Sequence, residues 1–246
     1  MPGQQIAQPS HPKALVTGST SGIGRAVAMK LAQDGFEVIV HGRDTARGVQ
    51  AVEEITLSGG RARFVQADLS NPADVQRLAE DAGDIDVLIN NSGFSWFGPT
   101  ANLDVDTFDA LFASNVRAPS FLVAAFAPRM AARGTGSIIN LSSMAGQIGL
   151  AGSAAYGATK AALSSLTRAW AAEFSPSGVR VNAVAPGPVY TGGAAPERIE
   201  ALGNTTLLKR AASSEEIAEV VSFLVSPRAS YVTGAIIAAD GGRTAI

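Results

Sequence analysis

Ala14-Leu15-Val16-Thr17-Gly18-Ser19-Thr20-Ser21-Gly22-Ile23-Gly24 is the stretch that decides the fold. The first three residues form an apolar run that reads as a strand. Residues 17–24 read as a turn and Arg25 to Gln33 as a helix, and Glu37 to Val40 reads as a second strand. The unit is βαβ and opens on a glycine-rich turn. Glycines there let backbone N–H groups approach a pyrophosphate at a helix N-terminus, where the peptide dipoles favour negative charge. The same residues would also serve a tight turn with no ligand. Their position between a strand and a helix favours the binding reading.

Working outward, apolar runs alternate with helical patterns along the whole chain. Strands are expected at residues 62–65, 87–89, 137–141, 179–184 and 235–239. Helices are expected at 45–57, 74–81, 103–116, 119–132, 156–174 and 216–225. Asn71-Pro72 and Ser213 with Glu216 read as helix starts. The fold class is therefore α/β: a doubly wound Rossmann domain with a mostly parallel, about seven-stranded sheet and helices on both faces. Residues 13–246 are expected to form one domain, because no linker interrupts them. Residues 1–12, rich in Gln and Pro, read as a disordered extension.

The 246 residues are 46% apolar and only 16% charged, which favours burial of some surface against other subunits. A net charge of −2 gives no basic stripe for nucleic acid. The absence of cysteine excludes disulfides, cysteine-ligated zinc and thiol nucleophiles. With His11 and His41 the only histidines, a His-based metal cluster or Ser-His-Asp triad has little to work with, and no metal is expected. His41 reads as a partly exposed strand end. The start of the chain lacks the features of a signal peptide, and the most apolar stretch, Phe121 to Ala127, meets Pro128 before reaching membrane-spanning length. No membrane partner and a cytoplasmic location are expected.

One short stretch carries chemistry. Tyr156 and Lys160 lie four apart among small residues, so in a helix they share one face. A phenol titrates near pH ~10. An ammonium at ~4 Å favours the phenolate by about 4 kcal/mol at an effective dielectric of ~20. That predicts a Tyr156 brought toward its working range as acid or base.

The turn spacing, Thr-Gly-x-x-x-Gly-x-Gly over Thr17 to Gly24, resembles the short-chain dehydrogenase/reductase family, and in particular its 3-oxoacyl-carrier-protein reductases. Asn90-Asn91-Ser92-Gly93, Asn115, Ser143, Tyr156, Lys160 and the Pro186-Gly187 loop follow in the family's order, over about residues 13–243. Ser92 stands where the family shows Ala, and Leu208-Lys209-Arg210 departs from the commoner Leu-Gly-Arg.

The resemblance implies cofactor contacts from Gly18, Ser21, Gly22, Ile23 and Gly24, and from Asp68 and Leu69 at the adenine. Further contacts are implied from Asn91 and Gly93, from Tyr156 and Lys160, and from Pro186, Gly187, Val189 and Thr191 around the nicotinamide. Asp68 could equally be a turn residue. Gly42 stands where an NAD-selective Asp would be, and Arg43 follows, so NADP(H) is expected over NAD(H). Asp44 could oppose this or cap the next helix.

The implied catalytic set is Asn115, Ser143, Tyr156 and Lys160. Asn115 would kink its helix and hold a relay water. Ser143, 13 positions before Tyr156, is chosen over Ser142, which reads as structural. The implied reaction moves a hydride between C4 of the nicotinamide and a carbonyl carbon.

Three readings follow. One is NADPH-dependent reduction of a ketone or 3-oxoacyl substrate, with an acyl carrier or CoA thioester as a possible partner. The second is an alcohol, sugar or steroid dehydrogenase working oxidatively. The third is a non-catalytic dinucleotide sensor. A carrier partner would call for a basic patch near the mouth, for which Arg129, Arg133 and Lys209 are candidates. Phe94 to Gly98 either lines a substrate pocket or covers a core, and Gly192 to Thr206 reads as a mobile lid. The family's paired helices and C-terminus imply a homotetramer or homodimer.

Overall fold

The computed structural model describes residues 11–246. Residues 1–10 of the expected extension lie outside the described residues. The last two are tied to the body: Glu37 N donates to Pro12 O at 2.9 Å, and His11 Nδ1 lies 3.1 Å from Gly35 O.

Apolar runs become parallel strands: β1 Lys13–Val16, β2 Glu37–Gly42, β3 Arg61–Gln66, β4 Val87–Asn90, β5 Gly136–Leu141 and β6 Val179–Pro186. Short strands β7 Val189–Tyr190 and β8 Ala212–Ser213 pair with each other, and β9 Ile236–Ala239 closes the main sheet. The seven-stranded order is β3-β2-β1-β4-β5-β6-β9, parallel throughout. The chain order reverses between β1 and β4, which opens a crevice beyond their carboxyl ends.

The helices are α1 Gly22–Gln33, α2 Thr45–Leu57, α3 Pro72–Ala82, α4 Val105–Phe112, α5 Ala118–Arg133, α6 Ala154–Phe174, α7 Pro196–Gly203 and α8 Ser214–Val225. Period-2 alternation sorts the strand side chains between two cores. Leu15, Ile39, Leu88 and Ile138 face Leu78, Leu122, Phe126 and Trp170 of α3, α5 and α6. Their neighbours Val16, Val38, Ile89 and Ile139 face Val27, Leu31, Ile55 and Val221 of α1, α2 and α8. A strand buried on both faces must be apolar throughout, and these strands largely are.

Two expectations are corrected. The helices expected at 103–116 and 119–132 are one continuous element, α4 and α5 joined by a π-helical segment, Ala113–Arg117. Pro128 does not end it. The residue whose carbonyl loses its bond, Ala124, is exposed, so water can satisfy it. The span 105–133 is thus long and apolar enough, by length and composition, to cross a membrane, and half of its most apolar window is buried inside the protein. The expected lid is also more ordered than its composition suggests, since it contains α7.

Helix ends follow their signals. Asp44 accepts from Arg47 N, Asn71 accepts from Ala73 N, and Ser213 with Glu216 forms a full capping box. A contact the sequence did not announce is that of Arg180 on β6. Its guanidinium donates to Leu224 O at 2.6 Å and Val225 O at 3.0 Å, at the carbonyl end of α8. A cation is favoured there by the helix dipole. Arg180→Met should lower stability by about 2 kcal/mol, since half-buried carbonyls lose a charged donor. Thermal unfolding checks this, and an unchanged midpoint would contradict it.

Candidate active site

The glycine turn sits at the crevice mouth. Gly18 and Gly22 have φ of +64° and +52°, values a side chain rarely tolerates. A Cβ at Gly24 would strike the Gly18 carbonyl and the Asn91 amide, so only glycine lets α1 start this close to β4. Ser21, the N-cap of α1, makes no side-chain capping bond. The first-turn N–H groups are therefore left for an anionic ligand.

Buried polar side chains hold this turn in place. Thr17 Oγ1 donates to Ile89 O and accepts from Asn91 N and Ser92 N, at 3.0–3.1 Å. Asn91 Nδ2 donates to Thr17 O at 2.8 Å and Gly18 O at 3.2 Å. His41, expected at a partly exposed strand end, is 2% exposed. Its Nδ1 accepts from Gly18 N at 3.1 Å, so Nε2 carries the proton toward Ala67 O at 3.2 Å. Burial pushes its pKa down to about 4, so it stays neutral. Ser19 bonds to Val16 O and accepts from His41 N. Sequence reasoning missed His41, because a strand-end histidine carries no signal of what it will touch.

A cavity of about 810 Å³ runs from this turn across the crevice. Of the candidate cofactor residues, Gly18, Ser21, Gly22, Ile23, Gly24, Arg43, Asp68, Leu69, Asn91, Gly93 and Thr191 line it. Tyr156, Lys160, Pro186, Gly187 and Val189 do not line it, though Gly93, which does, stands beside Lys160 Nζ. Arg43 is exposed and makes no ion pair among the described residues. A Cβ at Gly42 would stand 2.6 Å from Thr20 Cγ2, so Thr20 fills the space that a side chain at 42 would need. Asp44 caps α2 and also lines the cavity beside Arg43. Asp68 Oδ1 accepts from both the N–H and the hydroxyl of Ser70, so it is a turn residue as well as a cavity residue. Those bonds, led by the Ser70 N–H, and the nearby Arg43 charge hold its pKa low.

At the far end, α6 carries Tyr156 and Lys160. The Ser143 segment lies close against it because glycines remove the obstacles. A Cβ at Gly157 would be 2.6 Å from Ala145 O, and one at Gly146 would be 2.7 Å from Ala161 N. Ser143 Oγ accepts from Ala145 N at 3.2 Å, and its hydroxyl lies near enough to the Tyr156 phenol to bear on its titration. Ser142 instead faces inward, bonding to Lys160 O and Ser164, as its structural reading expected.

Lys160 is 5% exposed and donates to Leu141 O at 2.7 Å. Its Nζ lies 5.8 Å from the centroid of the Tyr156 ring. The expected lowering of the Tyr156 pKa is not found. Burial is the larger influence and pushes the phenol up, with the Ser143 hydrogen bond acting against it. Burial also pulls Lys160 down to about 8. Each shift disfavours the charged form of its group, which is the cost of desolvation that spacing along a helix does not reveal.

Asn115 lies in the π segment and is fully buried. Its amide bonds to Phe94 N, Phe94 O and Thr159 Oγ1. It thus links the β4 loop to α6 and makes no direct bond to Lys160. A Cβ at Gly93 would meet Asn115 Oδ1 at 2.6 Å and Lys160 Nζ at 3.7 Å. Gly187 N donates to Ala239 O, Val189 is buried in β7, and Thr191 lies against Gly22. The loop after β6 therefore reaches the glycine turn. Of the two uses open to Phe94–Gly98, the structure places the loop over the site: the Phe97 ring is 5.7 Å from that of Tyr156.

The arrangement fits a dinucleotide. It offers an uncapped helix start, a cradle that a side chain would fill, and a cavity adjoining a half-buried Tyr156 and a buried Lys160. No group of metal-ligating side chains occurs among the described residues.

Comparison with known proteins supports this fit. A family model described as Enoyl-(Acyl carrier protein) reductase matches residues 18–244. A solved short chain dehydrogenase/reductase family protein is 51% identical, with a TM-score of 0.89 over 96% of this chain and 98% of that one. A structure provisionally described as a betaketoacyl-ACP reductase is 48% identical, with a TM-score of 0.90 over 97% and 100%. The angucycline C-6 ketoreductase LanV, solved with bound NADP, is 34% identical, with a TM-score of 0.88 over 96% of each chain. The chain therefore belongs to the short-chain dehydrogenase/reductase family, as a 3-oxoacyl-reductase-like oxidoreductase that uses a nicotinamide cofactor on CH–OH groups or their carbonyl counterparts.

Proposed function

We propose that the protein reduces a small ketone with NADPH. The observation that carries this reading is the Ser143–Tyr156–Lys160 cluster, which adjoins the long cavity where Gly93 lines it beside Lys160, with the phenol kept protonated by desolvation. A protonated phenol is the form that donates to a carbonyl oxygen.

When bound, the cofactor supplies a hydride to the carbonyl carbon. The chain's own residues do the rest. Tyr156 gives its hydroxyl proton to the carbonyl oxygen, which leaves as the alcohol. Ser143 accepts from Ala145 N, so its own hydrogen is free to bond that oxygen as charge develops. Lys160, still an ammonium below about pH 8, offsets the phenolate charge left behind. Asn115 acts as a positioning residue through Phe94 and Thr159 and supports the proton relay toward Lys160. Pro186, Gly187, Val189 and Thr191 orient the carboxamide end. Gly18, Ser21–Gly24, Asp68, Leu69, Asn91 and Gly93 hold the remainder.

Arg43 is the 2′-phosphate reader in this proposal, since it is unpaired and lines the cavity beside Gly42. A free substrate is favoured over a carrier-bound one. Arg133, one candidate for a carrier-binding patch, pairs with Asp84 and donates to Ile85 O at the start of β4, away from the mouth. Exposed Phe108 and Phe121, on α4 and α5, fit a homodimer or homotetramer.

Tyr156→Phe should cut kcat by about a thousandfold or more while the thermal shift with NADPH stays within about a degree. Substantial turnover in the variant would sink the assignment. Reduction at saturating NADPH should decline as pH rises through about 8, where Lys160 loses its charge. A rate that stays flat well above that pH would remove Lys160 from the mechanism. Finally, Arg43→Asp should reverse the cofactor preference, read as the ratio of kcat/KM for NADPH and NADH. An unchanged ratio would mean that Arg43 does not read the phosphate.

A further inference from the structure

Above Tyr156 three segments converge. The Phe94–Gly98 loop is pinned by Gly98 N donating to Gly152 O at 2.9 Å and by Asn115 at Phe94. Phe97 therefore stands as a fixed platform, tilted 54° to the Tyr156 ring and 45% exposed. The guanidinium of Arg198, on α7, lies over the Phe97 ring, with its central carbon 4.8 Å from the centroid. Arg198 is exposed, and its guanidinium forms no ion pair or hydrogen bond among the described residues, although Glu197 and Glu200 share its helix.

The neighbouring cations are already engaged or remote. Arg210 makes two 2.7 Å bonds to Glu216, Lys209 donates to Asn204 O, and Arg43 and Arg47 line the distant end of the cavity. An arginine lying on an aromatic face keeps its N–H donors directed outward in its own plane. They form a fork suited to a carboxylate.

We propose that Arg198 anchors a carboxylate of the substrate, with the substrate's apolar body lying along Phe97, so that the protein acts on keto acids in preference to neutral ketones. The assignment rests on the carbonyl-reduction reading above. The Phe97 centroid is 5.7 Å from the Tyr156 ring and 4.8 Å from the guanidinium carbon, so both lie around one ring, which suits a carboxylate a few bonds from the carbonyl. Arg198 is then a specificity residue: it touches substrate remote from the reacting atoms. Its effect falls on KM where ground state and transition state are held alike.

The test uses the NADPH-loaded enzyme with a series of linear and cyclic keto acids and their methyl esters. Wild type should prefer the acids. Arg198→Met should lower kcat/KM for the acids about tenfold or more, mainly through KM, and leave the esters within about twofold. Arg198→Lys should keep part of the acid preference, which a role in lid packing alone would not produce. The thermal shift with NADPH should be the same in all three proteins. Equal losses on acids and esters, or a wild-type preference for esters, would overturn the proposal while leaving ketone reduction standing. Reduction of no ketone by a protein that binds NADPH would overturn both.

Discussion

A buried ammonium organises the catalytic half of the molecule. Lys160 is nearly inaccessible, and a cation out of water is expensive unless something compensates it. The partner here is a main-chain carbonyl, Leu141 O, at the carboxyl end of β5. That bond requires α6 to lie directly over the strand end. Ser142 secures the approach by bonding to Lys160 O and Ser164. Gly146 and Gly157 allow it by presenting no side chain. Once α6 is so placed, Tyr156 and Ser143 meet with no separate device.

The other half depends on the sheet. Parallel order reverses between β1 and β4, and the gap beyond their ends is a property of the topology. The shape of that gap is set by Thr17, Asn91, Ser19 and His41, whose hydrogen bonds join turns that no ladder joins. These are buried polar groups with partners, and losing one would leave another unsatisfied in a low-dielectric setting. They hold open the backbone N–H groups of α1, because Ser21 is left free of a capping role. The two halves meet at Gly93, which lies close to Asn115 and to Lys160.

Much of this was legible in the chain, for physical reasons that differ by residue. Strands buried on both faces must be apolar runs, so β1, β4 and β5 were readable from composition alone. Glycine at 18, 22 and 24 records backbone constraints directly. Capping at Asp44, Asn71 and Ser213 is local chemistry, satisfied within three residues. What escaped is tertiary. The Tyr156 spacing suggests a lowered pKa, but burial decides the direction. His41 looks like a strand end and becomes a hub because Gly18 and Ala67 happen to face it. Arg133 looks available until it is found bonded at the start of β4.

The division between legible and illegible residues follows the division of labour in the site. Cofactor-side groups act mostly through backbone, and backbone geometry leaves a mark in sequence as glycine, proline or a small residue. The groups proposed for the substrate side act through side chains on segments outside the sheet: Phe97 on a loop and Arg198 on α7. Nothing in the sheet fixes what these must be, because replacing them breaks no ladder and opens no core cavity. The fold therefore constrains the chemistry tightly and the substrate loosely. In the proposed reading specificity accordingly rests on a few exposed side chains, while the reaction type rests on groups packed between α6 and the end of β5.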